Sequence, residues 1–315
     1  MRRCPTAGSL REVNPRAGAS RSVVPDADAR RVHWIVLGLL DWYDATARDL
    51  PWRWTRDPYR VLVSELMLQQ TQVSRVLDAY DAFLARFPDL PELAGAPVSE
   101  VVSAWRGLGY NRRAVNLHRC AEVVVERHEG RIPDDLNALL ALPGIGPYTA
   151  RAVLAFAFEK DVAPVDTNVG RVLTRAVAGE PLASGQVQRV ADAVVPPGRG
   201  HDWSQALMDL GATVCRARSP RCDECPIARS CHWRTTGGDD PVARSAVRPR
   251  PQARFSGSDR FHRGRLVDAL RSGPVARQEV GAAAQLDDED RCARIVSGLV
   301  RDGLAVWEAG RLQLP

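Results

Sequence analysis

Apolar residues recur at helical spacing along this chain from Val32 to about Ala228, and no alternating strand pattern breaks the run. Val73, Val76, Leu77, Tyr80 and Phe83 lie on one helical face, which predicts a helix from about Gln72 to Arg86. The stretch Tyr59 to Leu68 is apolar nearly all round, so its helix should be buried. Asp57 and Pro58 suit its N-cap and first position. Further helices are expected at 98–105, 111–128, 134–141, 147–158 and 167–177, with Asp134 capping the third of these.

The pattern changes twice outside this body. Residues 1–31 are rich in Arg, Ala, Ser and Pro, lack the apolar stretch of a secretory signal, and are expected to form a disordered basic tail. Residues 234–258 are rich in Gly, Pro, Asp and Arg and read as a linker. After it, Leu266, Val267 and Leu270 mark one helix, and Ile295, Val296, Leu299 and Val300 mark another. The closing DGLAVWEAGRLQLP reads as a hairpin turning near Ala309-Gly310. Residues 259–315 are therefore expected to form a small winged-helix-like domain behind a mainly α core at 32–233.

Composition narrows the class. A chain of 315 residues with 45% hydrophobic and 26% charged residues fits a soluble globular protein. No apolar run reaches the length of a membrane span. The formal charge of +5 and the pI near 9.0 lean only slightly toward an anionic partner, so the placement of charge must decide. Lys160 is the one lysine, which leaves a single side-chain amine for Schiff-base chemistry. Seven cysteines, four of them clustered, do not resemble a secreted disulfide framework, and a reducing cytoplasm is expected.

That cluster is Cys215, Cys222, Cys225 and Cys231, spaced by six, two and five intervening residues. Four thiolates this close suit a soft metal centre, either zinc or an iron–sulfur cluster. Upstream, LPGIG at 142–146 precedes Pro147, a strong first helical residue. Gly144 and Gly146 permit a tight turn that offers backbone amides to an anion; an ordinary corner between helices has the same local signature. Glu65 lies in the apolar VLVSELML, where burial should raise its pKa toward the range of a general acid, unless its end reaches solvent or an arginine. Asp166 lies just before an apolar-periodic helix, as an ordinary N-cap does, and should stay ionised there. One protonated and one ionised carboxyl group is the division of labour that cleaves a glycosidic bond.

Taken in order, LPWR (50–53), DPY (57–59), SELMLQQTQV (64–73), GLGYNRRA (107–114), LPGIGPYTA (142–150), VDTNVGRVL (165–173) and the four cysteines resemble the helix-hairpin-helix superfamily of DNA glycosylases, and within it the MutY-type adenine DNA glycosylases. The match runs from about Trp34 to Trp233. The resemblance implies a helix-hairpin-helix fold with a [4Fe–4S] loop at 215–231. Its strand-cleaving members carry a lysine where this chain has Tyr148, so a monofunctional enzyme is implied. Gln69-Gln70-Thr71 favours adenine. Thr167 departs from the glycine common in the MutY-type motif, and about 60 residues after the linker replace the usual Nudix-like reader of 8-oxoguanine.

By this resemblance, the enzyme removes adenine mispaired with 8-oxoguanine or guanine in double-stranded DNA, acting as a monomer and without a membrane partner. Glu65 would protonate adenine at N7 and Asp166 would stabilise the sugar cation, while Tyr148 and Asn168 position the participants. Gln69, Gln70, Gly144, Gly146 and Arg53 are the candidate DNA contacts. Arginines 216, 218, 221 and 229 on the cysteine loop would meet phosphate. A thymine or uracil mismatch glycosylase of the same fold, and a non-enzymatic iron–sulfur DNA-binding regulator, are the alternatives.

Overall fold

A computed structural model describes residues 26–248 and 254–315. Helix α1 spans Asp26–Thr46, so residues 26–31 of the expected tail are helical and the rest of that tail lies outside the described residues. Next comes α2 (Pro58–Leu68), where the Asp57 carboxylate accepts from the Tyr59 amide as the sequence suggests. Every residue from Val61 to Met67 is buried, as an all-round apolar helix requires. Helices α3 (Val73–Arg86), α4 (Leu90–Gly95), α5 (Val98–Ala104) and α6 (Arg112–Arg127) follow, with α3 on α2 and α4 on α6. Helix α4 is too short to show a sequence period and is held by the Asp89 cap and Pro91.

The hairpin is built by α7 (Leu136–Leu140) and α8 (Pro147–Phe156). Asp135, rather than Asp134, caps α7 by accepting from the amides of Asn137 and Ala138. Asp134 pairs with Lys160 at 2.9 Å instead. Helix α9 (Thr167–Leu173) runs into a π turn at Thr174–Ala178, and α10 (Ser184–Ala193) and α11 (Gly200–Thr213) complete the body.

The apolar side chains form two clusters. One joins α2–α8. The other joins α1, α9, α10, α11 and Ile227 of the cysteine loop. Helix α8 packs on α2 and on α11, so it links the two lobes.

Much of the stretch expected as linker is ordered against the second lobe. It holds α12 (His232–Thr236) and a 3₁₀ turn at Pro241–Arg244, with Val242 buried. Beyond it come α13 (Asp259–Ser272), α14 (Val280–Ala284) and α15 (Glu289–Arg301). Strands β1 (Val275–Ala276), β2 (Val306–Glu308) and β3 (Arg311–Gln313) form an antiparallel sheet ordered β1-β3-β2. Ala309 and Gly310, both at positive φ, make the two-residue turn expected of a hairpin. The two-residue β1 is too brief to show alternation in sequence. Leu266, Leu299 and Leu312 of this unit are continuous with the first lobe's core. Arg271 reaches across to the Val102 carbonyl and the Asn111 side chain.

Candidate active site and cysteine loop

Four predicted residues meet where the lobes face each other. Helix α2 carries Glu65 and the first turn of α8 carries Tyr148, both from the first lobe. Asp166 and Asn168 stand at the start of α9 in the second. Glu65 is only 5% exposed. Burial raises its pKa most, the hydrogen bond from Tyr148 opposes this, the charge of Asp166 raises it and that of Arg53 lowers it. The result is a pKa of about 7. Tyr148 is pushed far above the ordinary phenol range by burial and by both carboxylates, so it remains a hydrogen-bond donor.

Asp166 differs in its partners. It accepts from the Val169 amide at 2.7 Å and from the Asn168 side chain at 3.0 Å. These bonds favour its ionised form, but burial outweighs them and raises its pKa above the usual value. The expectation that a helix-start carboxylate is simply ionised therefore omits the desolvation imposed by the facing lobe. The charge of Asp166 adds to the rise at Glu65, while backbone and side-chain hydrogen bonds favour the ionised form of Asp166.

Two arginines that sequence reading passed over set this geometry. Arg171 donates to the Asn168 side-chain oxygen at 2.7 Å, and to the carbonyls of Thr167, Gly211 and Cys215. Gly211 lets α11 approach so closely that an added Cβ would lie 2.7 Å from that of Asn168. Arg113 collects the carbonyls of Leu66, Met67 and Gln69 at the end of α2, and those of Leu108 and Gly109. Carbonyls at a helix end lack intrahelical partners, so this buried guanidinium fixes how the chain leaves α2. Arg113 lies in GLGYNRRA and Arg171 in VDTNVGRVL, but nothing in their spacing announces carbonyl binding.

Gln69, at the end of α2, donates to Thr149 beside Tyr148 at 3.2 Å. Gln70 is exposed at φ 55. Gln70 also lines a broad cleft with Arg75, Tyr110 and Arg260, between the first lobe and the C-terminal unit. At the hairpin, Gly144 has φ 77 and an added Cβ would meet Asn116 at 2.6 Å. Gly146 has an ordinary φ of −95 and caps α8 without a side-chain bond, and a helix start is a place where backbone amides can meet an anion. Only Gly144 therefore needs glycine's left-handed freedom.

Arg53 is not on this face. It is buried, and it grips Asp209 of α11 through both terminal nitrogens at 2.8 and 2.6 Å. Its charge is felt at Glu65, where it lowers the pKa.

The four cysteines line one apolar pocket with Val172, Leu210, Val214 and Ile227. Each of Cys215, Cys225 and Cys231 feels the charge of its neighbours, and burial pushes all three thiols up. Among the described residues, no three His, Cys, Asp or Glu side chains close tightly enough for a single metal ion. Four sulfurs lining one apolar pocket are a donor set that suits a soft metal centre such as an iron–sulfur cluster. Arg216, Arg218, Arg221 and Arg229 are exposed around it, with Arg221 paired to Glu224.

Comparison with known proteins is consistent with these features. The family described as HhH-GPD superfamily base excision DNA repair protein matches residues 63–197, and the iron-sulfur binding domain of endonuclease III matches residues 215–231. An adenine DNA glycosylase of Mycolicibacterium smegmatis is 45% identical over 283 residues, covering 88% of this chain and 94% of that protein. One from Mycobacterium tuberculosis is 43% identical over 289 residues, covering 88% and 92%. Among solved structures, a thermostable thymine-DNA glycosylase superposes with a TM-score of 0.62 at 32% identity, covering 67% of this chain and all of that one.

Proposed function

Because the chain belongs to the adenine DNA glycosylases of the HhH-GPD superfamily, we propose that Glu65, Tyr148, Asp166 and Asn168 are the groups with which it excises adenine mispaired with 8-oxoguanine or guanine. The protein is an N-glycosidic hydrolase of base excision repair that acts on DNA and carries an iron–sulfur cluster. The observation that carries the site assignment is Glu65: it faces Tyr148 and Asp166 between the lobes, and burial, with a smaller contribution from the charge of Asp166, brings it to a pKa of about 7.

In this reading the target adenine leaves the stack, at lower cost because it is mispaired, and enters between the lobes. Glu65 delivers its proton to adenine N7. The bond from the base to the sugar C1′ breaks, and its electron pair leaves with the neutral base. Asp166 stabilises the cationic sugar, held in place by Asn168 and through it by Arg171. Water then adds to C1′ and leaves an abasic site. Gln70 fills the vacated stack, Gln69 lines its edge, and the amides around Gly144 and Gly146 hold phosphate. Tyr148 takes the place of a strand-cleaving lysine, and Lys160 is held by Asp134 outside α8. The product strand should stay intact, and borohydride should trap no adduct.

Cys215, Cys222, Cys225 and Cys231 would hold the [4Fe–4S] cluster, which supplies a rigid cross-link for the arginine-bearing loop. The order of helices and strands in residues 259–315 supports a winged-helix-like unit. There Arg271 docks the unit on the first lobe and Arg263 pairs with Asp302. No helix among the described residues is long and apolar enough to cross a membrane. We assign the chain to the nucleoid as a monomer.

The test is single-turnover base release from A opposite 8-oxoguanine, A opposite G, and T opposite G. Adenine release from the first two supports the reading. The similarity to the thymine-DNA glycosylase structure sustains a second reading, which faster release of thymine from the third substrate would favour.

A further inference from the structure

The π turn after α9 places Arg175 directly behind the cysteine pocket. Its side chain is 2% exposed. One terminal nitrogen lies 3.4 Å from the Cys215 sulfur and donates to the Arg216 carbonyl at 2.8 Å. The other faces the Ala217 carbonyl. A buried guanidinium needs an anion, and Asp240 supplies one through a two-pronged contact of 3.1 and 2.5 Å. Trp233 covers the cation from its other side, 5.2 Å from the ring centre.

Asp240 and Trp233 both lie in the segment after the last cysteine. That segment is fastened beyond them as well. The Ser245 hydroxyl donates to the Leu182 carbonyl at 2.8 Å, and the Ala246 amide donates to the same oxygen. Val247 sits against Gly170, where an added Cβ would lie 2.5 Å from it. Gly179, at φ 68, ends the π turn where an added Cβ would collide with His232, the neighbour of Cys231. Residues 232–247 thus form a strap over the cysteine pocket, and Arg175 is the pin between strap and pocket.

We propose that Arg175 is a working part of the cluster site: it supplies an N–H···S bond and a fixed positive charge to the Cys215 thiolate, and it locks the strap that keeps solvent from the cluster. Asp240 is the positioning residue that aims it. This rests on the four-cysteine assignment above. Hydrogen bonds to sulfur, net charge and solvent exposure set the potential of an iron–sulfur cluster. Removing the bond and the charge makes the oxidised cluster easier to reach, so the potential moves negative. Loosening the strap opens the cluster to oxygen.

The experiment uses the full chain prepared without air, as wild type, Arg175→Lys, Arg175→Met and Asp240→Asn. Iron content and cluster absorbance are followed after exposure to air, and the reduction potential of the cluster is measured on DNA-bound protein. All that fold should load iron. Arg175→Met should lose absorbance about tenfold faster than wild type, the scale on which outer-shell partners of metal ligands act, and its potential should be more negative. Arg175→Lys keeps the charge and should fall between. Asp240→Asn, whose side chain is part-exposed and which leaves every cysteine in place, should also bleach faster, and it decides the matter should the arginine variants fail to fold. Wild-type bleaching and potential in Asp240→Asn, with only a lower melting temperature, would show that the pair merely braces the fold and would overturn the proposal. Iron loading well below four per chain in wild type, with zinc in its place, would instead remove the cluster assignment on which it rests.

Discussion

Glu65 and Asp209 invite comparison. Each is a lone carboxylate in an apolar helical stretch, SELML in α2 and ALMDL in α11, and each is buried. Asp209 is met by Arg53 and Arg48, and their hydrogen bonds and charges hold it below the usual carboxylate range against the pull of burial. Burial brings Glu65 to about 7, since the hydrogen bond from Tyr148 opposes the rise only in part and the charge of Asp166 adds to it. A buried carboxylate given cations is a joint; one denied them is a reagent. In this chain, what decides between joint and reagent is whether an arginine reaches the group.

The largest effect that should separate the two is on chemistry. Glu65→Gln should lower single-turnover adenine release by at least about 100-fold, the lower range for a general acid, with duplex binding largely kept. Asp209→Asn should bind duplex and release adenine once folded. Its loss should appear in stability, by about 3 kcal/mol in denaturant unfolding, since two arginines are left facing no charge. An Asp209→Asn enzyme of normal stability would dissolve the comparison.

The dependence of stability on pH should have opposite signs at the two sites. Glu65 has a raised pKa in the folded state, so its contribution is present below its unfolded value near 4.5 and is lost as pH rises through about 7. Asp209 has a depressed one, so its contribution is present above 3.8 and is lost as pH falls. Melting curves should show Glu65→Gln losing part of the alkaline decline and Asp209→Asn losing part of the acid one. The smallest effect belongs to Arg48, whose side chain is 35% exposed. Arg48→Ala should cost less than about 1 kcal/mol, and a larger loss would mean that Arg53 alone does not hold Asp209.

This pair also shows what was legible in the sequence. The helices of the core, the hairpin, the cysteine loop and the meeting of Glu65, Tyr148, Asp166 and Asn168 follow from periodicity, spacing and resemblance. The pairing of Arg53 was not legible because its partner is 156 residues away on α11, and no local pattern carries that distance. Arg113 and Arg171 were missed for a related reason: most of their ligands are backbone carbonyls, which leave no mark on residue identity. The ordered strap was read as linker because its Gly and Pro content is that of a loop, while its anchors are single contacts to a core formed elsewhere.

The account rests on Glu65 being the proton donor because burial favours its protonated form more than Tyr148 and the charge of Arg53 oppose it. The most direct test is the single-turnover rate of adenine release as a function of pH, on A opposite 8-oxoguanine with enzyme in excess. The rate should be highest below about pH 7 and fall as pH rises through it, as Glu65 loses its proton. In Glu65→Gln that limb should be gone along with most of the rate. A wild-type rate that does not change across this range, or a Glu65→Gln enzyme with the same limb and near-normal turnover, would contradict it.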